Sequence, residues 1–195
     1  KIRYFFQKSN GKGNALRESS KLALGKILVF FDADCSHDPN DIKKLVDPLI
    51  KNKLIDHVGG SRMRGGSDEL FADIQHFFRL FGSLIINHTI NIKFNTKLTD
   101  SQNGLRAIRR DVFKKCKTSS IHTSIEMELV SKTLSGGFNY IEVPTHEWKR
   151  AFGHSKISLV KHSWAYLYQL IKICFYKKNK QKRKFKYIEA TWYKN

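Results

Sequence analysis

Hydrophobic positions along this 195-residue chain alternate between short extended runs and longer stripes at helical spacing. The clearest run is Ile27-Leu28-Val29-Phe30-Phe31, apolar, rich in β-branched and aromatic residues, and too short for a self-burying helix. It predicts a central strand covered on both faces. Upstream, Ile2-Arg3-Tyr4-Phe5-Phe6 predicts a short strand, a polar turn follows over 7–14, and Leu16, Leu22, Ala23 and Leu24 mark a helix over about 15–24. Downstream, Asp38 is placed to cap a helix, with Pro39 at its first position, Asp41 in its first turn, and Ile42, Leu45, Val46, Leu49 and Ile50 on its apolar face. The stretch 55–62 reads as a strand ending in a glycine turn with Arg62 at its mouth.

A long helical segment follows over about 69–94, with Leu70, Phe71, Ile74, Phe77, Phe78, Phe81 and Ile85 on one stripe. After a polar loop a strand begins at Leu105, Asp111 is placed to cap a short helix, a helix covers about 123–134, Gly136-Gly137 ends it, and Tyr140-Ile141-Glu142-Val143-Pro144 forms a last strand. Strands and helices alternating at these intervals imply right-handed crossovers. The fold class expected is α/β, a Rossmann-like, mostly parallel sheet flanked by helices.

Composition changes the picture in one respect. Lys and Arg number 36 against 17 Asp and Glu, a formal charge of +19, which calls for an anionic partner: nucleic acid, an acidic membrane surface or phosphorylated substrates. Cys35, Cys116 and Cys174 are widely spaced without a Cys-x-x-Cys pair, so neither a zinc site nor a disulfide framework is indicated and a reducing compartment fits. No signal pattern and no run of eighteen apolar residues is present.

Chemistry concentrates after the central run. Asp32 and Asp34 stand two apart at the carboxyl end of the predicted strand, where α/β sheets place ligands. On an extended backbone they share a face, and hard oxygens there suit Mg2+ or Mn2+ holding a diphosphate. Such a pair also marks ordinary turns. Gly11-Lys12-Gly13 reads either as a β-to-α turn or as a phosphate approach with Lys12 adding charge. Arg79 and Ser83, one helical turn apart, either face solvent or grip a phosphate, and Asp100 is either a turn former or a catalytic carboxylate. The segment 147–156 is a basic, glycine-containing loop rich in phosphate donors.

The last apolar stripe, Val160, Trp164, Leu167, Tyr168, Ile171, Cys174 and Phe175, is interrupted by Lys161 and Lys172. Its helix, about 30 Å long, could reach across a bilayer core, but the lysines favour one lying in the interface or covering its own domain. The basic run 177–186 suits anionic headgroups, or is merely solvated, or binds nucleic acid nonspecifically. With basic residues spread over helices and loops and no recognition motif, no nucleic-acid partner is expected.

Taken in order, Gly11-Lys12-Gly13-Asn14-Ala15-Leu16-Arg17, Phe31-Asp32-Ala33-Asp34-Cys35-Ser36-His37-Asp38-Pro39, Gly60-Ser61-Arg62, Asp100-Ser101-Gln102-Asn103-Gly104-Leu105-Arg106-Ala107, Glu128, Glu142-Val143-Pro144 and Arg150-Ala151-Phe152-Gly153-His154-Ser155-Lys156 resemble a family 2 glycosyltransferase of the GT-A fold. The branch is that of dolichol-phosphate mannosyltransferases and polyprenyl-phosphate glycosyltransferases. The resemblance implies that Asp32 and Asp34 hold the metal on the diphosphate of a nucleotide-sugar, with Lys12 at the donor. It also implies that Arg62, Arg79, Ser83, Arg150, Ser155 and Lys156 bind the acceptor phosphate, and that Asp34, Asp100 and Arg150 are catalytic. Where the family often has glutamine, this chain has Ser36. The family's opening strand, with its base-binding Pro-x-Tyr/Phe-Asn-Glu turn, is not in this sequence, which begins about where the second strand should be. The organisation expected is therefore an N-terminally incomplete catalytic domain over 1–156, an amphipathic, membrane-interfacial helix over 157–176 and a basic tail over 177–195.

The activity implied is inverting, metal-dependent transfer of a hexose, mannose foremost, from GDP-mannose or UDP-glucose to a dolichyl or polyprenyl phosphate, at the cytoplasmic face of a membrane. A phosphate acceptor with a second pKa of about 6 needs no general base. The alternative, transfer to a saccharide hydroxyl, would require one, with Asp100 the candidate.

Overall fold

The computed structural model describes residues 2–68, 74–150, 159–177 and 179, with backbone alone at 74–79 and 159–163. Its elements run α1 (Lys12–Leu22), β1 (Ile27–Phe30), α2 (Asp41–Lys51), β2 (His57–Ser61), α3 (Arg62–Gly65), α4 (Ile74–Phe94), β3 (Arg106–Arg109), α5 (Arg110–Cys116), α6 (Ile125–Ser135), β4 (Tyr140–Pro144) and α7 (Leu159–Phe175). The strands form one sheet in the order β1-β3-β2-β4. Three of them run the same way, as the alternation of strands and helices implies, while β3 lies antiparallel between β1 and β2.

The reversal has a functional result. Arg106 at the start of β3 is opposite Phe30 at the end of β1 and Gly59 in β2. The loop that precedes β3, containing Asp100, therefore meets Asp32, Asp34 and Arg62 at one end of the sheet.

Both faces of the sheet are covered. On one, Leu45 and Leu49 of α2 pack with Ile55, Val58, Leu105, Ala107 and Val143. Each of those leucines is fully buried, worth about 1.5–3 kcal/mol of apolar transfer. On the other, Leu28, Phe30 and Ile108 meet Val112, Phe113 and Cys116 of α5 and Leu129 of α6. A third cluster joins Ile86, Ile90 and Phe94 of α4 to Met127, Val130 and Leu134 of α6 and Ile173 of α7. The last helix thus covers its own domain with one side.

Several expectations are corrected. Residues 2–6 form no strand, and Ile2, Tyr4 and Phe6 are exposed, because an apolar run becomes a strand only where a sheet edge pairs with it. Among the described residues β1 is consequently an outer strand, although it is covered on both faces as expected. Helix α1 starts at Lys12, three residues before the expected position, because Gly11 at φ 103° makes the turn that begins it. Asp111 lies in the first turn of α5, whose N-cap is Arg109. Asp38 accepts the Asn40 N–H at 2.8 Å in the turn before α2, but the N-cap is Asn40 and the helix begins at Asp41, so Asp38 does not cap it and Pro39 precedes its first position.

Candidate active site

The chain leaves β1 at Phe30, so Asp32 and Asp34 lie on a turn past the strand and do not share a face of extended backbone. Cys35 at φ 62° bends that turn. Asp34 Oδ1 accepts both the Ser36 N–H at 3.1 Å and the Ser36 hydroxyl at 2.7 Å. Ser36 thus orients the carboxylate. Arg150 Nε lies 3.3 Å from Asp34 Oδ2. Burial opposes ionisation of Asp34, but the Ser36 hydrogen bonds and the Arg150 charge outweigh it and hold the carboxyl below its usual range.

Asp32 is engaged by Lys12. From the first turn of α1, Lys12 Nζ reaches Asp32 Oδ2 at 2.9 Å and Glu126 Oε1 of α6 at 2.5 Å. Burial opposes the Lys12 charge, yet Glu126 and then Asp32 raise its pKa above the ordinary lysine value. Gly104 closes this cluster from above. A Cβ there would stand 2.6 Å from Asp32 Oδ2 and 2.8 Å from Lys12 Nζ, so a larger residue would have to displace these side-chain ends. The amide of Gly13 is not available to a phosphate, because it donates to Ile121 O at 2.7 Å.

The loop over 98–104 is held from several sides. The Glu142 carboxylate in β4 accepts from the Thr99 N–H, the Thr99 hydroxyl and the Asp100 N–H, while Asn87 of α4 bonds Thr99 O and Ser101. Fully buried Arg106 donates to the carbonyls of Ser101, Asn103 and Glu126. Asp100 so placed receives Arg62 Nε at 2.7 Å, Nη2 at 3.0 Å and the Arg62 N–H at 3.1 Å. Its side chain is fully shielded from solvent. Burial works against the charge, but Arg62 outweighs it and keeps Asp100 ionised. The remaining edge of the guanidinium, Nη1, points to Glu147.

The structure thus gathers Lys12, Asp32, Asp34, Arg62, Asp100 and Arg150 at one end of the sheet. Ser83 of α4 is buried, and its hydroxyl has no hydrogen-bond partner among the described residues. Arg79 lies one turn earlier on α4, its side chain outside the described residues, as are Ser155 and Lys156 altogether. The sequence did not single out Glu126 or Glu147, because each acquires its role through contacts remote in sequence. Glu128, which falls in the matching motif, is a structural clamp that accepts the N–H groups of Ser119 and Ser120 and pairs with Lys132.

Among the described residues no group of three or more His, Cys, Asp or Glu is arranged to hold a metal ion by itself. Asp32 and Asp34 offer hard oxygens of the kind that bind Mg2+ or Mn2+ together with substrate phosphates. Among the described residues, the ion pairs around the site comprise six carboxylates, Asp32, Asp34, Asp100, Glu126, Glu142 and Glu147, and the four cations paired with them, Lys12, Arg62, Arg64 and Arg150. A diphosphate entering this acid-rich cluster calls for added positive charge, so the donor set fits a divalent ion.

Comparison with known proteins agrees with this geometry. The profile of the family described as glycosyl transferase family 2 matches residues 1–117. An uncharacterised protein of Methanocaldococcus jannaschii is 30% identical over 170 residues, covering 84% of this chain and 68% of that protein. Polyprenol monophosphomannose synthase of Mycolicibacterium smegmatis is 27% identical over 68% of this chain and 49% of its own length. Dolichol-phosphate mannosyltransferase of Pyrococcus furiosus is 29% identical over 77% of this chain and 41% of its own. The chain therefore spans about half the length of these two named relatives. Among solved structures, glucosyl-3-phosphoglycerate synthase of Mycobacterium tuberculosis, in complex with Mg2+ and uridine diphosphate, superposes with a TM-score of 0.62 at 20% identity, over 85% of this chain and 55% of that one. That likeness is one of fold.

Proposed function

Since the chain belongs to glycosyl transferase family 2, we propose that it transfers a hexose, mannose foremost, from a nucleoside-diphosphate sugar to the phosphate of a dolichyl or polyprenyl lipid. The observation that carries the acceptor class is the state of Asp100. A general base for a sugar hydroxyl needs access to its proton and a pKa near the working pH. Asp100 is shielded from solvent, bound along one edge of Arg62 and held ionised below the usual carboxylate range. A phosphate monoester, with a second pKa of about 6, is its own nucleophile and needs no such base. The named relatives, a polyprenol monophosphomannose synthase and a dolichol-phosphate mannosyltransferase, support the same class.

In this reading an acceptor phosphate oxygen attacks the anomeric carbon from the face opposite the diphosphate. The new C–O bond forms as the old one breaks, the electron pair leaves with the nucleoside diphosphate, and no proton has to move. Asp32 and Asp34 would hold Mg2+ or Mn2+, which would neutralise charge on the departing diphosphate. Lys12 fixes Asp32, and Ser36 fixes Asp34. Arg150, 3.3 Å from Asp34, adds positive charge beside the diphosphate in this reading. The buried, unpartnered Ser83 hydroxyl supports an acceptor phosphate near α4, shared with Arg62, Arg79, Ser155 and Lys156.

A membrane surface is the natural source of such an acceptor. Phe81, Leu84, Ile85 and Ile92 of α4 and Trp164, Leu167, Tyr168, Ile171 and Phe175 of α7 are exposed on two helices that pack together. No described helix is long and apolar enough to cross a membrane, so peripheral attachment at the cytoplasmic face is the arrangement proposed.

The test is transfer of labelled sugar from GDP-mannose and UDP-glucose to polyprenyl phosphate with Mg2+ or Mn2+. Metal-dependent product that disappears in Asp34→Ala supports the assignment and names the donor. Product that survives both chelation and Asp34→Ala sinks the metal-centred reading.

A further inference from the structure

Glu147 has a role that the family reading of the site does not require. Its backbone is fixed at a junction. The Glu147 N–H donates to Gly66 O at 3.1 Å, its carbonyl accepts from the Asp68 N–H at 2.8 Å, and the next residue, Trp148, donates its N–H to Ser36 O at 2.8 Å. This junction ties the Asp34 turn, the segment after α3 and the approach to Arg150 together without any help from the side chain. The carboxylate itself is buried, accepts the Ser67 hydroxyl at 2.7 Å, and lies 3.3 Å and 3.5 Å from Arg62 Nη1.

Arg62 is therefore oversubscribed. Asp100 takes Nε and Nη2, and Glu147 takes the remaining nitrogen, Nη1. One cation is shared between two carboxylates, and the trio carries a net negative charge. We propose that Glu147 is a positioning residue for the acceptor: it holds the outer edge of Arg62 and offsets its charge, setting how tightly an anionic group is gripped there. The inference rests on the lipid-phosphate reading and deepens it. A site that binds its acceptor too tightly in the ground state gains nothing in rate, and a built-in carboxylate keeps the grip loose until the phosphate displaces it. The Glu147 contact to Arg62 is the longer and weaker one, as displacement requires, while Ser67 retains the carboxylate nearby.

The geometry separates charge from framework. Glu147→Gln preserves the backbone junction and an oxygen for Ser67 while removing one negative charge from beside Arg62. The experiment is calorimetric titration of the whole chain and of Glu147→Gln with farnesyl phosphate, with thermal melting as the check on folding. The variant is expected to bind about three- to tenfold more tightly, the gap narrowing as salt is raised, and its acceptor KM in the transfer assay is expected to fall by the same factor. A purely structural role predicts the opposite direction: weaker binding, a higher KM and a lower melting temperature. Ser67→Ala, which keeps the charge, serves as the second variant and is expected not to tighten binding. Equal binding by the original chain and Glu147→Gln overturns this inference alone, as does weaker binding by a folded variant. Binding by neither overturns the lipid-phosphate reading and the inference with it.

Discussion

At Asp100 a carboxylate shielded from solvent meets Arg62 through Nε and Nη2, so deleting Arg62 strands the Asp100 charge in the interior. Arg62→Met is therefore expected to cost about 3–5 kcal/mol in urea unfolding, and Asp34→Asn, on a solvent-facing turn, well under half of that. Similar losses from both would show that the Arg62 pair is not a buried one. His57 in β2 makes a second residue-level prediction. It is completely buried, with Nδ1 3.0 Å from Thr133 Oγ1 and its ring edge-on to Tyr140. Burial foremost, and the charge of Arg106, depress its pKa well below the ordinary value. The unfolded chain takes up this proton first, near pH 6.5. Stability is thus intact above that pH and is lost as the pH falls below it, by up to about 1.4 kcal/mol per pH unit. Urea titrations above and below pH 6.5 should show the loss, and His57→Phe should remove most of it. An unchanged pH slope in that variant would assign the loss to other groups.

At the level of elements, α1, the turn after β1 and the loop before β3 converge on Gly104, and a methyl group there would displace the carboxylate of Asp32 and the ammonium of Lys12. Asp32 Oδ2 and Lys12 Nζ lie within 3 Å of it, and Lys12 is already tied to Glu126. Gly104→Ala should cost about 1–3 kcal/mol of stability and weaken Mn2+ binding in the presence of nucleoside diphosphate, read by titration of metal against the folded variant. Unchanged metal affinity would place the cluster outside the donor site. The same elements show what the sequence makes legible. Helix α2 and strands β1, β2 and β4 follow from periodicity, since their apolar residues pack locally and against adjacent layers. Residues 2–6 carry the same kind of signal and form no strand, because pairing depends on a neighbour that local sequence does not specify. The order of motifs points to Asp32, Asp34, Arg62 and Asp100. It does not show that Lys12 is shared with Glu126, or Arg62 with Glu147, because those pairs exist only once α6 has packed on the sheet and β4 has joined it.

For the molecule as a whole, the formal charge is +19, whereas the ion pairs described around the site hold more carboxylates than cations. In the proposed reading, that basic excess and the apolar side chains exposed on α4 and α7 meet an anionic membrane surface. Vesicles containing anionic lipid should sediment the chain, and Trp164→Ala combined with Phe175→Ala should weaken that binding by about tenfold or more. Binding unaffected by the double substitution would remove α7 from the membrane contact. The central claim concerns the acceptor, and one comparison tests it most directly: metal-supplemented transfer of labelled sugar to farnesyl phosphate and, in parallel, to farnesol. Product on the phosphate alone is expected, since only the phosphate supplies a nucleophile that needs no base. Equal transfer to the alcohol would contradict it, and would require a free catalytic carboxylate that buried, Arg62-bound Asp100 does not provide.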